Sequence, residues 1–228
     1  MPLSNGTSIR WCNFIKELQD NILPIYQNHE NTFDPDGIHG RMHICRTVLF
    51  AEYMGRFYQE LLNVEIDMDS VQLAVAFHDS GREGNGKDLW EEQSAKMCNE
   101  YARENRPDWG SVLWNECGSF ITSHQRWRIE VQVVKDADVL EIMRPCCGHG
   151  GIDGFRRGFL RFLGKNDDRS GKDFPRDLYR EGLIKEAWEW IEWTEKKKFL
   201  YSDKAYMDAL LNDLQGERNR FPILAKLL

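Results

Sequence analysis

Apolar and polar positions alternate at helical spacing over most of the chain. Trp11, Phe14, Ile15, Leu18 and Ile22 recur every three or four residues, the stripe of one helix face. The cluster NTFDPDGI at 31–38 breaks that pattern with Pro, Asp and Gly. A second helix is expected over 39–62, with Val48, Ala51, Phe57 and Leu61 among its apolar positions. A shorter, almost wholly apolar helix is expected over 71–79, with Asp67 or Asp69 placed to cap its start and the glycine-rich loop 81–86 to end it. Further helices are predicted over 88–105, 111–123, 129–143, 178–201 and 203–214. The run VQVV at 131–134 is β-branched but continues into KDADVLEIM at helical spacing, so no strand is predicted. The Gly-rich, charged segment 144–177 reads as a long loop around one short helix. The expectation is an all-α fold in a single domain over 1–228, with C-terminal helices over 178–228.

Composition narrows the partners. A formal net charge of −7 argues against broad binding to a nucleic-acid polymer, which depends on clustered Lys and Arg. It leaves room for a small anionic substrate held by a local Arg. No window reaches the roughly 18 apolar residues of a membrane span, so no membrane partner is expected. The N-terminus MPLSNGTSIRW lacks the basic-then-apolar layout of a secretory signal. Six cysteines without a Cys-x-x-Cys pair read as reduced thiols. Together these point to a cytoplasmic protein.

The chemistry gathers around VAFHDSGREGNG at 75–86, where His78 and Asp79 stand side by side between an apolar helix and a glycine-rich loop. Buried charge needs a partner, and a metal ion is one. Adjacent helical residues point about 100° apart, so both can reach one ion only near a helix end. The second helix offers His39 and His43, four residues apart and so on one face. His124 lies in ITSHQRW, and Asp136 and Asp138 lie in VVKDADVLEIM. Imidazoles and carboxylates together suit a divalent ion. Arg46 reads as a structural ion-pair partner, and Asp136 as an orienting acceptor for a histidine.

His43 with Arg46 three residues on, then HDSGR at 78–82, then KDADVLE at 135–141, resemble in order and spacing the HD superfamily of metal-dependent phosphohydrolases. The resemblance covers about 37–144 and implies an HD-domain-like helical bundle. It implies His43, His78, Asp79 and Asp138 as ligands of a divalent ion, with Mn, Mg, Fe, Ni, Co and Zn not distinguished. A metal-bound water would then attack phosphorus in a nucleotide or a nucleotide-linked phosphodiester. Arg82 occupies the place of a phosphate-binding cation, and its planar fork suits phosphate oxygens. Members with two metals often add histidines from the middle helices, and His124 is the candidate here.

A narrower resemblance rests on HGRMH at 39–43 with Arg46 beyond it, and on FHDSGREGNG followed by DLWEE. These are similar to the phosphodiesterase domains of SidE-type bacterial effectors. That resemblance implies cleavage of phosphoribosyl-linked or ADP-ribosylated ubiquitin, and delivery into a host cytosol. Glu83 with His39 or His43 would do the acid–base work, and His149 in the Gly-rich segment would be a second catalytic histidine contacting substrate. The general HD phosphohydrolase is the reading carried forward, with the ubiquitin-directed enzyme as its alternative. A third reading is a non-catalytic HD-like module that senses a nucleotide or docks a protein.

Overall fold

In the computed structural model, residues 5–32, 39–83, 90–123, 128–141, 178–197 and 206–228 are described. Trp11, Phe14 and Ile15 lie on α1 (Asn5–Glu17), while Leu18 and Ile22 lie on a π-helical turn (Leu18–Ile22) that runs directly into α2 (Leu23–Thr32). All five are buried. There follow α3 (Arg41–Leu62), α4 (Met68–Phe77), α5 (Glu91–Asn105), α6 (Ser111–Thr122) and α7 (Ile129–Glu141). The C-terminal part supplies α8 (Leu178–Lys197), α9 (Tyr206–Gly216) and a 3₁₀ turn (Leu224–Leu227). The described residues contain no strand, and the fold is all-α. One continuous apolar core runs from Trp11 through Leu227.

Helix α4 is the axis of the bundle. Every one of its residues except Asp69 is buried, because α3, α5, α6 and α7 all pack against it. A helix apolar on all sides belongs in a core, and each fully buried Val, Leu or Phe contributes about 1.5–3 kcal/mol. Asp67 caps it, accepting from the Ser70 amide at 3.2 Å and the Ser70 hydroxyl at 2.6 Å. The helix stops at Phe77. His78 and Asp79 therefore sit on the exit turn, where Ser80 and Arg82 amides bond back to Phe77 and Asp79 carbonyls.

The second helix starts at Arg41 rather than at residue 39, for a tertiary reason. Gly40 is its N-cap, and the Arg41 amide donates to Glu30 Oε1 of α2 at 2.6 Å. A Cβ on Gly40 would lie 2.3 Å from that same oxygen, so a larger residue here would push the Glu30 carboxylate away from the Arg41 amide. His39 thus stands on the turn before α3 instead of sharing its helical face with His43. Gly81 plays a matching part: its amide donates to Ser94 Oγ of α5 at 2.9 Å, and a Cβ there would meet the Ser94 backbone at 2.7 Å.

The expected loop at 144–177, with His149, lies outside the described residues, as does His124.

Candidate functional site

Three elements bring the site together. The turn before α3 and its first turn supply His39 and His43, the exit of α4 supplies His78, Asp79 and Arg82, and the last turns of α7 supply Asp138 and Glu141. The cores of α3 and α7 pack against each other and against α4, which closes the distance between residues far apart in sequence.

Asp79 is the hub. Its Oδ2 lies 2.9 Å from His39 Nδ1, 3.3 Å from His43 Nε2 and 3.5 Å from His78 Nε2. Its Oδ1 accepts from Arg82 Nε at 2.6 Å. Burial alone would raise the Asp79 pKa, but His78, His39 and His43 outweigh it and hold the carboxyl well below the usual range. Asp138 Oδ1 lies 3.3 Å from His78 Nε2 and 3.6 Å from His43 Nε2.

The two inner histidines face each other, with Nε2 atoms 3.0 Å apart. Each has its other nitrogen beside an acceptor: His43 Nδ1 is 2.6 Å from Glu141 Oε2, and His78 Nδ1 is 2.7 Å from the Val75 carbonyl. Both Nδ1 atoms therefore carry hydrogen. Two neutral rings would then point lone pairs at each other, so a proton or another cation belongs between the Nε2 atoms. The electrostatics agree. Burial lowers the His43 pKa, but Glu141 and Asp79 override it and raise it to about 10. His78 is likewise raised, burial being outweighed by Asp79 and Asp138.

Glu141 is the group that sequence reasoning missed. It accepts from His43 and, through Oε1, from Arg46 Nε at 2.9 Å and Nη2 at 2.6 Å. Arg46 is fully buried and also pairs with Glu195 of α8 at 2.9 Å. The orienting role assigned to Asp136 thus belongs to Glu141. Asp136 instead accepts from Tyr58 at 2.7 Å and Gln132 at 2.6 Å. The signal was present, since Glu141 lies three residues after Asp138 and so near it on the helix surface.

The donor set also fits a metal. Ligand atoms bound to one ion at about 2.0–2.2 Å and about 90–110° apart lie about 2.8–3.6 Å from one another. The separations among His43, His78 and Asp138 are 3.0, 3.3 and 3.6 Å. His39, His43 and Asp79 form a second group of this kind. The carboxylate beyond His43 matches the acceptor that metal-bound histidines usually have.

Beside the cluster lies a cavity of about 40 Å³, walled by His78, Asp79 and Asp138 and by Arg82, Trp90 and Lys135. Arg82 lines it while paired to Asp79. Glu83 follows on the exposed side. No helix among the described residues is long and apolar enough to cross a membrane.

Residues 19–168 match the family model of the SidE phosphodiesterase (PDE) domain, a span that contains every described residue of the cluster. No curated protein and no solved structure matches the chain.

Proposed function

The chain belongs to the SidE phosphodiesterase-domain family, and from that premise we propose that it hydrolyses the phosphodiester of phosphoribosyl-linked ubiquitin, or the phosphoanhydride of ADP-ribosylated ubiquitin, by acid–base chemistry at the His–Asp cluster. The family match favours this linked protein substrate over the free nucleotide expected of a general HD phosphohydrolase. Such a substrate implies exposure to a host cytosol.

The observation that carries the reading is the 2.9 Å contact between His39 Nδ1 and Asp79. A carboxylate at that distance keeps the Nδ1 hydrogen in place and fixes the tautomer, leaving the Nε2 lone pair as the base. His39 is partly exposed, with 22% of its side chain reaching solvent, so substrate can approach it. His43 and His78 share the opposite resource, a proton held between two ring nitrogens. In the hydrolysis, water oxygen bonds to phosphorus as His39 takes its proton. The bond from phosphorus to the leaving oxygen breaks, and the shared His43–His78 proton goes to that oxygen. Asp79 and Asp138 balance the charge as it moves. Arg82 orients Asp79, and Glu83 stands at the rim as a second acid–base group.

Mass spectrometry of the products tests this. The full chain, incubated with ubiquitin joined through a phosphoribosyl bridge to a serine peptide, is expected to release the free serine peptide and phosphoribosyl-ubiquitin. His39→Ala is expected to release neither. Binding without cleavage by the parent would return the chain to the non-catalytic module.

A second reading is favoured by the donor spacing. A divalent ion held by His43, His78 and Asp138, with Asp79 beside them, would take the place of the shared proton and supply Lewis-acid stabilisation of phosphoryl oxygens. Under it, chelator treatment abolishes turnover and elemental analysis finds about one ion per chain. Under the acid–base reading, turnover survives the chelator.

A further inference from the structure

We infer that the cavity beside the cluster is an oxyanion subsite, in which Trp90 and Lys135 donate to one phosphoryl oxygen of the substrate. The inference rests on the proposed phosphodiester substrate and names the groups that would hold it.

Trp90 and Lys135, both on the cavity wall, each keep one N–H hydrogen without an acceptor. Trp90 Nε1 is buried and makes no hydrogen bond, a state that native proteins seldom leave unexplained. Lys135 Nζ, on the same wall, donates to Glu91 Oε1 at 2.9 Å and to the Ile121 carbonyl at 2.7 Å. An ammonium has three hydrogens, so one remains. The two bonds pin Lys135 between the start of α5 and the last turns of α6, with its side chain 19% exposed. The cation is thus preorganised at the wall.

The other polar groups of the wall each have a partner. Arg82, expected from sequence to grip phosphate, donates to Asp79 at 2.6 Å. Asp79 accepts from Arg82 and faces His39 and the inner histidines, Glu91 is paired with Lys135, and Asp138 faces His78. A ligand entering beside Trp90 therefore meets an indole N–H and an ammonium, with the Arg82 guanidinium on the same wall. That pair selects an anionic oxygen. The size is consistent, since about 40 Å³ leaves room for a few water-sized groups. A phosphoryl oxygen fits, with the phosphorus towards the histidines.

The experiment is a titration of the full chain, ¹⁵N-labelled at tryptophan, with ribose 5-phosphate, an unreactive phosphoribosyl fragment. Trp90→Phe keeps an aromatic ring, removes the N–H and identifies the Trp90 indole resonance. That resonance is expected to shift saturably with ribose 5-phosphate and to stay in place with chloride at equal ionic strength. Binding is expected to weaken by about tenfold or more in Trp90→Phe and in Lys135→Gln, the loss of a hydrogen bond to a charged acceptor. Both variants are somewhat smaller than the side chain they replace, and thermal melting checks that they fold. A Trp90 resonance that does not respond, or variants that bind as the parent does, would overturn the inference. The titration needs no turnover. A chain that binds the fragment through Trp90 but cleaves nothing keeps the subsite and loses the proposed reaction. One that cleaves without moving Trp90 does the reverse.

Discussion

Glu52 and Asp79 are both buried carboxylates packed against cations, yet they are built for different ends. Glu52, on α3, is completely buried and accepts from Arg10 Nη2 at 2.7 Å, Arg56 Nε at 2.9 Å and Gln72 Nε2 at 2.8 Å. Arginine does not lose its proton at any ordinary pH and an amide does not titrate, so this knot has one charge state. It ties α1, α3 and α4 together. Asp79 has one such clamp, Arg82, and three imidazoles besides. Unlike a guanidinium, an imidazole can give up its proton or take one. Asp79 also borders a cavity, and Glu52 is not among that cavity's walls. A buried charge held by arginine fixes a fold. One held by histidines beside a void can take part in a reaction.

The comparison can be broken from either side. Asp79→Asn should have the largest effect, a fall in kcat/KM of about 10³-fold with the helical circular dichroism retained, because it loosens His39, His43 and His78 together. Turnover within a few-fold of the parent would show that the hub is only structural.

Glu141→Gln should cost about 10–100-fold in activity, the usual scale for a group acting through its neighbour. It should also change the pH dependence of stability in metal-free protein. The folded pKa of His43 is about 10, above the roughly 6.5 of an unfolded histidine. Its stabilisation is therefore complete below about 6.5 and lost as pH rises towards about 10. Raised His78 acts in the same direction. Depressed Asp79 acts in the other, stabilising above the unfolded carboxyl pKa of about 3.9 and losing that contribution as pH falls. The parent's Tm should thus decline from pH 7 to 10, and less so in Glu141→Gln.

Glu52→Gln should have the smallest effect on turnover, within about twofold of the parent. Its cost appears in stability instead, about 1–3 kcal/mol, or a Tm lower by about 2–12 °C for a chain of this size. Arg10 and Arg56 retain some solvent contact, which limits the cost.

How much of this was legible varied with the kind of information needed. Helix positions followed from apolar spacing, and the meeting of His43, His78, Asp79 and Asp138 followed from motif order. Features that depend on another element did not. The start of α3 at Arg41 is set by Glu30 on α2, which moves His39 off the helix. The π-helical turn at Leu18–Ile22 has no Gly or Pro to announce it. Trp90 read as part of DLWEE and Lys135 as part of KDADVLE; that both face one cavity emerges only from the packing of α5, α6 and α7. Arg82 was legible as a cation near the site, but its partner is Asp79.

The central claim is that His39, set by Asp79, is the base of a phosphodiester hydrolysis. Its most direct measurement is the single-turnover rate of chelator-treated parent and His39→Gln on phosphoribosyl-linked ubiquitin. The account predicts turnover by the parent in chelator and a rate lower by about 10³-fold or more in the variant. Equal rates for the two proteins, or parental turnover that returns only when a divalent metal is added back, would contradict it.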